Sequence, residues 1–482
     1  MFFTFVELCR SLAVLHCTAM YNTKLYFHFV GIGGVGMSGI AEILIDLGFR
    51  ISGSDLKCGD SCKRLQRLGA LIKEGHAAQN LPEDCSLVVY SSAVQQDNPE
   101  LVEAKRRGLP IVRRAEVLAE LMRLKYGVAV AGSHGKTSTT EMVGNVLEEG
   151  ELDPTVIIGG RVKSKGTGSR FGHGNYLVAE SDESDRSFLL LKPTIAIVTN
   201  IDAEHLTAYQ SISDLEQSFA QFVNATPFYG LAILCIDDQR VRSLAVNYEG
   251  RKVCYGFSLD ADLRAENIEF DKWSTSYDVI FHSEKIAHVK LHLPGKHFVL
   301  NSLAAFATGL EFGVPVQKIV TALEKVQGVQ RRLEKIGVES GVTVISDYAH
   351  HPTEIKASLK ALREGWGSDV RKIHVVFEPH RYSRLRDCFI EFIDAFTDCD
   401  RLIVTDVYAA GEEPLEGVSA ESLCSAISRP LQRHYIPHFQ GVMPVLKEDL
   451  SAGDIVVCMG AGAVGAYAYD VLEMLKLKDR AA

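Results

Sequence analysis

Tyr126-Gly-Val-Ala-Val-Ala-Gly-Ser-His-Gly-Lys136-Thr137-Ser-Thr-Thr140 decides how this chain is read. Val128–Ala131 is a short apolar run and predicts a buried strand. It enters Gly132-Ser133-His134-Gly135-Lys136-Thr137-Ser138, and an amphipathic stretch to Glu149 predicts a helix. Strand, glycine loop, Lys-Thr and helix in this order is the layout of a phosphate cradle. Glycines let backbone N–H groups turn inward, and the helix N-terminus adds partial positive charge. Lys136 would sit on the β- and γ-phosphates, and Thr137 would offer its hydroxyl to Mg²⁺. Val130 stands where the common pattern has its first glycine, so Gly132 shortens the loop. The plainer alternative is a glycine-rich turn ahead of a helix.

Outward from that stretch, 482 residues suggest about three domains, and 46% hydrophobic residues suffice for sizeable cores. A net charge of −10 argues against a nucleic-acid surface, and the basic residues are scattered. Eleven cysteines occur without a Cys-x-x-Cys pair, which fits reduced thiols of the cytoplasm rather than disulfides or zinc. No run reaches the roughly 18 apolar residues of a membrane span, so no membrane insertion is expected. Residues Met1–Met20 are apolar but broken by Glu7 and Arg10, a poor signal peptide. We expect an extension over 1–23 whose first twenty residues are dispensable.

Before the phosphate loop, Tyr26–Val30 predicts a strand that enters Gly31-Ile-Gly33-Gly34-Val-Gly36-Met37-Ser38-Gly39. This satisfies G-x-G-x-x-G between a strand and a helix. Arg50–Gly53 is the next strand, and Asp55 follows Gly36 by 19 residues, where an acidic residue would meet a ribose hydroxyl. Alone this reads as an NAD-type domain, although any diphosphate-linked nucleotide could use it. Leu87–Tyr90 is a further strand ending at Ser91-Ser92, and helices from Pro99 and over Arg114–Leu124 flank a strand at Pro110–Val112.

After the phosphate loop the α/β alternation continues. Tyr176–Ala179 ends in Glu180-Ser-Asp182-Glu183-Ser-Asp185, and Thr194–Thr199 ends in Asn200-Ile-Asp202-Ala-Glu204-His205. Carboxylates and an imidazole at strand C-termini suit Mg²⁺ and nucleotide phosphates, or else cap helices. Strands are further expected at Thr155–Ile158, Leu231–Cys235, Lys252–Tyr255 and Ile286–Leu293, with a helix over Phe298–Phe312. A third unit from about Gly328 places Asp347, His350, His351, Glu378, His380, Arg381, Arg384 and Asp406 after strands. Core packing does not demand polar residues along one edge, so this edge reads as a second wall of an active site.

These motifs together resemble the Mur ligase family. The resemblance covers roughly residues 24–475. It rests on Gly31–Ile40, Gly132–Thr137, Ala179–Asp185, Thr199–His205, His297–Asn301, Gly328–Arg332, Asp347–Glu354 and Glu378–Arg384. It implies a three-domain α/β protein: a Rossmann-like UDP-binding domain (24–125), a central P-loop ATP-binding domain with a mostly parallel sheet (126–327) and a Rossmann-like C-terminal ligase domain (328–482). It further implies that Gly31, Gly33, Gly34, Gly36, Met37, Ser38, Asp55, Ser91 and Ser92 serve a UDP-sugar rather than NAD. Gly132, Ser133, His134, Gly135, Lys136, Thr137, Ser138, Asn301, Arg332 and Asp347 would bind ATP. Thr137, Glu180 and His205 would serve Mg²⁺, and His380, Arg381 and Arg384 would lie near the incoming amino acid. Sibling ligases for later amino acids carry a carbamylated lysine after the Mg²⁺ histidine; Leu206–Gly250 holds no lysine. That points to the alanine-adding members, whose substrates are UDP-N-acetylmuramate and L-alanine.

The implied chemistry meets a physical need. A lactyl carboxylate is a poor acyl donor at neutral pH, and ATP would convert it to an acyl phosphate with charge stabilised by Lys136 and Mg²⁺. The alanine amine would then displace phosphate, with His205 and His350 as candidates for the proton acceptor. The alternatives are a ligase that recycles a preformed peptide onto the same sugar, an NAD-dependent oxidoreductase with a vestigial phosphate loop, and a silent nucleotide-binding regulator. Nothing in the sequence decides between monomer and homodimer.

Overall fold

The computed structural model describes residues 25–91, 93–159, 169–204 and 208–481. The expected extension over 1–23, Ser92 and His205 lie outside the described residues. Among these residues the chain divides into two compact units. One runs to Val253 without Cys235–Asp237, and the other holds that short piece and everything from Cys254 onward.

The first unit opens with β1 (Tyr26–Val30), β2 (Arg50–Asp55), β3 (Leu71–Glu74), β4 (Leu87–Tyr90) and β5 (Ile111–Arg113). They form a parallel sheet in the order β3-β2-β1-β4-β5. All five residues of β1 are buried, as a central strand covered on both faces requires. The order reverses beside β1, so the crevice at its carboxyl end is where such a sheet takes a ligand. The sequence spells out the helix Pro99–Arg107 at both ends. Asn98 accepts from Glu100 N at 2.9 Å, Pro99 opens the first turn and Gly108 closes it at φ 67°.

The same unit continues with β6 (Tyr126–Ala131), β7 (Thr155–Ile157), β8 (Ser169–Arg170), β9 (Tyr176–Glu180), β10 (Ile195–Val198) and β11 (Leu231–Cys235). Their order is β11-β10-β6-β9-β7-β8, parallel except for β7 with β8. The apolar strand β6 is therefore central, and the helix Lys136–Glu149 leaves its carboxyl end as expected.

The second unit takes up β12 (Lys252–Gly256), then β13 (Leu263–Asp271), β14 (Ser274–Phe281) and β15 (Glu284–Leu291). β12 runs parallel to β13, and β13, β14 and β15 form an antiparallel meander. Only the last of its strands was expected, two residues further along. The meander leads into the helix Lys296–Glu311. A third sheet comprises β16 (Glu334–Glu339), β17 (Val342–Asp347), β18 (Ile373–Phe377), β19 (Arg401–Val404), β20 (Gln432–Tyr435) and β21 (Ile455–Met459). Its order is β16-β17-β21-β18-β19-β20, and only β16 is antiparallel. The helices Phe439–Asp449 and Val464–Ala481 contribute Val442, Leu446, Val464, Ala468 and Val471 to its core. With three sheets, one wholly and two mostly parallel, the protein has the expected three-domain α/β architecture.

Gly53 in β2 faces Phe29 of β1. A Cβ there would lie 2.5 Å from the Phe29 carbonyl oxygen and 2.8 Å from Ile32 Cδ1. Backbone cannot yield as a flexible side chain can. Gly53→Ala should therefore destabilise the protein by about 1–3 kcal/mol, as overpacking does. Chemical denaturation would measure this, and an unchanged midpoint would contradict the packing described for β1 and β2.

Candidate active site

In the first unit the phosphate loop is held from below by the segment after β10. Asn200 Oδ1 accepts from His134 N at 2.8 Å, and Asn200 Nδ2 and Thr199 Oγ1 donate to the His134 carbonyl at 3.0 and 2.6 Å. Ser133 N donates to the Asn200 carbonyl at 3.1 Å, and Ser133 Oγ accepts from Asp202 N at 2.8 Å. Gly132 sits at φ 134°, and a Cβ there would meet Thr199 Oγ1 at 2.0 Å, so only glycine fits this crossing. The sequence did not mark Thr199 and Asn200 as the loop's supports, because their side chains act through backbone atoms of a distant segment.

Lys136 opens the helix and turns back over the loop. Its Nζ donates to the carbonyls of Gly132 and Ser133 at 2.6 and 3.1 Å and pairs with Glu183 at 2.9 Å, with the side chain 15% exposed. Burial disfavours the ammonium, but Glu183, Glu180 and Asp182 outweigh it, and the pKa of Lys136 is raised. Burial in turn pushes Glu183 up to about 7 against the pull of Lys136. Thr137 Oγ1 lies 3.0 and 3.1 Å from the two Glu180 oxygens, and Gly159 N also donates to Glu180 at 2.8 Å. A hydroxyl and a carboxylate converging in this way form an all-oxygen donor pair of the kind Mg²⁺ prefers. Ser138, on the same helix, is buried.

The remaining acidic residues divide between the two readings. Asp185 accepts from Ser187 N at 2.9 Å and caps the short turn that follows, which is the structural role. Asp202 instead reaches the loop, with Oδ2 at 3.1 Å from His134 Nε2.

At the first sheet, the carbonyl of Ser54 accepts from Gly31 N and Ile32 N at 2.9 and 3.0 Å. Asp55 Oδ2 accepts from Gly33 N at 2.8 Å, so the acidic residue expected at a ribose braces its own glycine loop here. Gly34 N returns to the Gly31 carbonyl at 3.3 Å. Gly36 lies beside Arg114, whose Nη1 would be 3.0 Å from a Cβ at that position. Met37 and Ser38 are both 2% exposed, so this pair offers backbone rather than side chain to a ligand. Ser91, at the end of β4, lies beside Gly31, its Cβ 3.7 Å from where a Gly31 Cβ would stand.

In the second unit, Asn301 is 6% exposed on the helix Lys296–Glu311. Arg332 Nη1 donates to Glu354 at 3.2 Å, and its guanidinium lies 5.0 Å from the Tyr348 ring centre. Burial pushes Asp347 up to about 6, against hydrogen bonding by Ser358 and the charge of Arg332. His350 Nδ1 donates to the Tyr348 carbonyl at 2.8 Å and lies 3.3 Å from Glu354 Oε2. Its ring meets that of His380 edge-on at 5.7 Å, and His380 stacks on Tyr408 at 5.6 Å. Burial, then His350, Arg384 and Arg381, lower the His380 pKa to about 4. The neutral His380 Nδ1 therefore accepts from Arg384 Nη1 at 3.2 Å. Arg381, at φ 69° and 52% exposed, stands 3.8 Å from Glu412. Glu378 accepts from Val464 N, and Asp387 from Arg386 Nε. The structure thus gathers His350, His380, Arg381 and Arg384 and adds Tyr348, Tyr408, Glu354 and Glu412, which the sequence did not single out. His351 Nε2 lies 3.5 Å from buried Cys388 Sγ.

The chain also resembles known proteins along its length. Models of three Mur ligase domains match in order: the family's catalytic domain over residues 26–126, the middle domain over 130–309 and the glutamate ligase domain over 331–462. A UDP-N-acetylmuramate–L-alanine ligase of Syntrophus aciditrophicus is 46% identical over 470 residues, covering 97% of each chain. The crystal structure of a UDP-N-acetylmuramate-alanine ligase from Thermotoga maritima superposes with a TM-score of 0.79 at 28% identity, covering 94% of this chain and all of that one. A murein peptide ligase of Psychrobacter arcticus shares the fold, with a TM-score of 0.67 at 23% identity over 94% of this chain and 98% of its own. With three consecutive domain models matched and a near-full-length relative at 46% identity, the chain belongs to the Mur ligase family.

Proposed function

We propose that this protein joins L-alanine to the lactyl carboxylate of UDP-N-acetylmuramate, using ATP, in the synthesis of peptidoglycan precursors. The match over 97% of the chain to a ligase named for that reaction carries the proposal. The phosphate loop supports it, because Lys136, Thr137 and Glu180 converge as phosphoryl transfer needs. NAD chemistry gives no reason for that convergence. Domain boundaries at 24–125, 126–327 and 328–482 and a place in the cytoplasm belong to the same proposal. No helix among the described residues is long and apolar enough to cross a membrane.

The residues divide the work as follows. The first turn of the helix Lys136–Glu149 has backbone N–H groups without intrahelical partners, and these face phosphate oxygens. Lys136 leaves Glu183 and the loop carbonyls for the β- and γ-phosphates. Thr137, Glu180 and His205 would hold Mg²⁺, which supplies positive charge to the transferring phosphoryl group. Asn301, Arg332 and Asp347 serve the nucleotide. The lactyl carboxylate becomes an acyl phosphate, the alanine amine attacks its carbonyl carbon, and phosphate departs. The proton lost by the ammonium goes to a base, with His205 and His350 as the candidates. Arg381 and Arg384 hold the alanine carboxylate, its best handle for recognition, through a planar fork.

ADP release with UDP-N-acetylmuramate and a panel of amino acids and peptides tests the proposal. Release should require both the sugar nucleotide and L-alanine. Release with a preformed peptide but not with alanine would mark a recycling ligase instead. In the same assay Lys136→Ala should lose about 100-fold or more in kcat, the scale of one missing charge-stabilising group. UDP-N-acetylmuramate binding should survive that change, and near-normal turnover would remove the phosphate-loop assignment. Glu180→Gln should raise the Mg²⁺ concentration needed for half-maximal rate, whereas an unchanged Mg²⁺ titration would show that Glu180 is no ligand. Arg381→Lys and Arg384→Lys should each raise KM for alanine more than KM for ATP or the sugar nucleotide, because lysine does not reproduce the fork. A change confined to KM for ATP would place the amino-acid site elsewhere.

A further inference from the structure

Under the first sheet lies a polar network that neither the glycine loop nor the phosphate loop accounts for. At its centre is Glu100, 0% exposed, in the first turn of the helix Pro99–Arg107. Oε2 accepts from His28 Nε2 of β1 at 3.1 Å and from Ser54 Oγ of β2 at 2.5 Å. Oε1 accepts from Ala77 N at 3.1 Å and from Asn80 Nδ2 at 2.8 Å. His28 Nδ1 is satisfied by Ser52 Oγ at 2.9 Å. Burial alone would raise the Glu100 pKa, but hydrogen bonds from His28, Ser54 and Asn80 outweigh it, so the carboxylate is ionised and accepts only.

The polarity of this network has one solution. A serine hydroxyl carries a single proton, and Ser54 gives it to Glu100. Ser54 Oγ also lies 2.8 Å from His76 Nδ1, so it must accept there, and His76 carries a proton on Nδ1. Nδ1 also lies 3.7 Å from Glu100 Oε1, and with the proton on Nδ1 it is Nε2 that is left to accept. His76 is 13% exposed and follows β3 at the carboxyl edge of the sheet. At the same edge the Ser54 carbonyl holds Gly31 and Ile32, and Asp55 holds Gly33. Leu56, next to Asp55 and 75% exposed, gives that edge an apolar surface.

We infer that Glu100 is a positioning residue which, through Ser54, fixes the Nδ1–H tautomer of His76, so that Nε2 accepts a hydrogen bond from the imide N–H of uracil. This rests on the reading that the first domain holds the UDP end of the substrate. The arrangement selects a nucleobase carrying a ring N–H donor.

Glu100→Gln tests the relay because it keeps shape and reverses polarity. Two N–H donors, Ala77 and Asn80, keep the new amide's oxygen on their side, so its nitrogen faces Ser54 and His28. Ser54 must then accept from that amide nitrogen and donate to His76, moving the ring proton to Nε2. Nitrogen-15 NMR of the full-length protein would read the tautomer, and calorimetry would read affinity for UDP and for its N3-methylated counterpart. In the wild type the His76 proton should sit on Nδ1, and N3-methylation should weaken binding about tenfold, the scale of one lost hydrogen bond to a buried partner. Glu100→Gln should move the proton and weaken UDP about tenfold without changing ADP affinity. His76→Ala, a change in the loop after β3, should weaken UDP similarly and abolish sensitivity to N3-methylation. A wild-type proton on Nε2, a tautomer unmoved by Glu100→Gln, or wild-type UDP affinity in either variant would overturn the inference. If the wild-type protein takes up no UDP, the reading of the first domain fails as well.

Discussion

A cation withdrawn from water must find compensating oxygen, and Lys136 finds it within its own loop. The carbonyls of Gly132 and Ser133 and the Glu183 carboxylate surround the ammonium. That arrangement holds the charge in place and ties the loop to the helix that follows it. Under the proposed function, phosphate oxygens would offer the same kind of partners with more negative charge, and nucleotide binding would be an exchange of oxygens around this cation. The supports beneath the loop, Thr199 and Asn200, fix the peptide groups that make the exchange geometrically simple.

The architecture follows from the same economy of position. In a parallel sheet every strand ends at one edge, so β6, β9 and β10 bring the loop, Glu180 and the Asn200 segment together although they lie far apart in sequence. The first sheet repeats the device, with the ends of β1 and β2 supplying the glycine loop and its Ser54 and Asp55 braces. In the third sheet, β17 and β18 bring the His350 and His380 segments into ring contact. The lowered pKa of His380 keeps it a neutral acceptor for Arg384.

Much of this was legible in the chain. The apolar runs of β1, β6, β11 and β18 are almost wholly buried and were placed within a residue or two, because a two-sided core leaves little choice of residue. β3, with only Ile72 buried among its four residues, and β13, with exposed or half-exposed polar residues between buried ones, lack such runs, and β14 buries the polar residues Ser274, Thr275 and Asp278; all three strands were missed. Gly-x-Gly and Gly-Lys-Thr patterns announced their loops, because backbone geometry demands those residues. The partners of the loops were not announced. Asp55 was expected to face a ribose and accepts from Gly33, and Glu100 takes its partners from two strands. Side chains that act across sequence distance carry no local signature. The chemistry of His205 rests on its motif, since it lies outside the described residues.

The central claim is that ATP activates the lactyl carboxylate as an acyl phosphate before alanine attacks. The most direct measurement uses UDP-N-acetylmuramate labelled with oxygen-18 in that carboxylate, followed through one turnover with ATP and L-alanine. Breaking the acyl–oxygen bond leaves one labelled oxygen on phosphate, so the account predicts one oxygen-18 in each phosphate released, together with ADP. Unlabelled phosphate, or release of AMP and pyrophosphate in place of ADP, would contradict it.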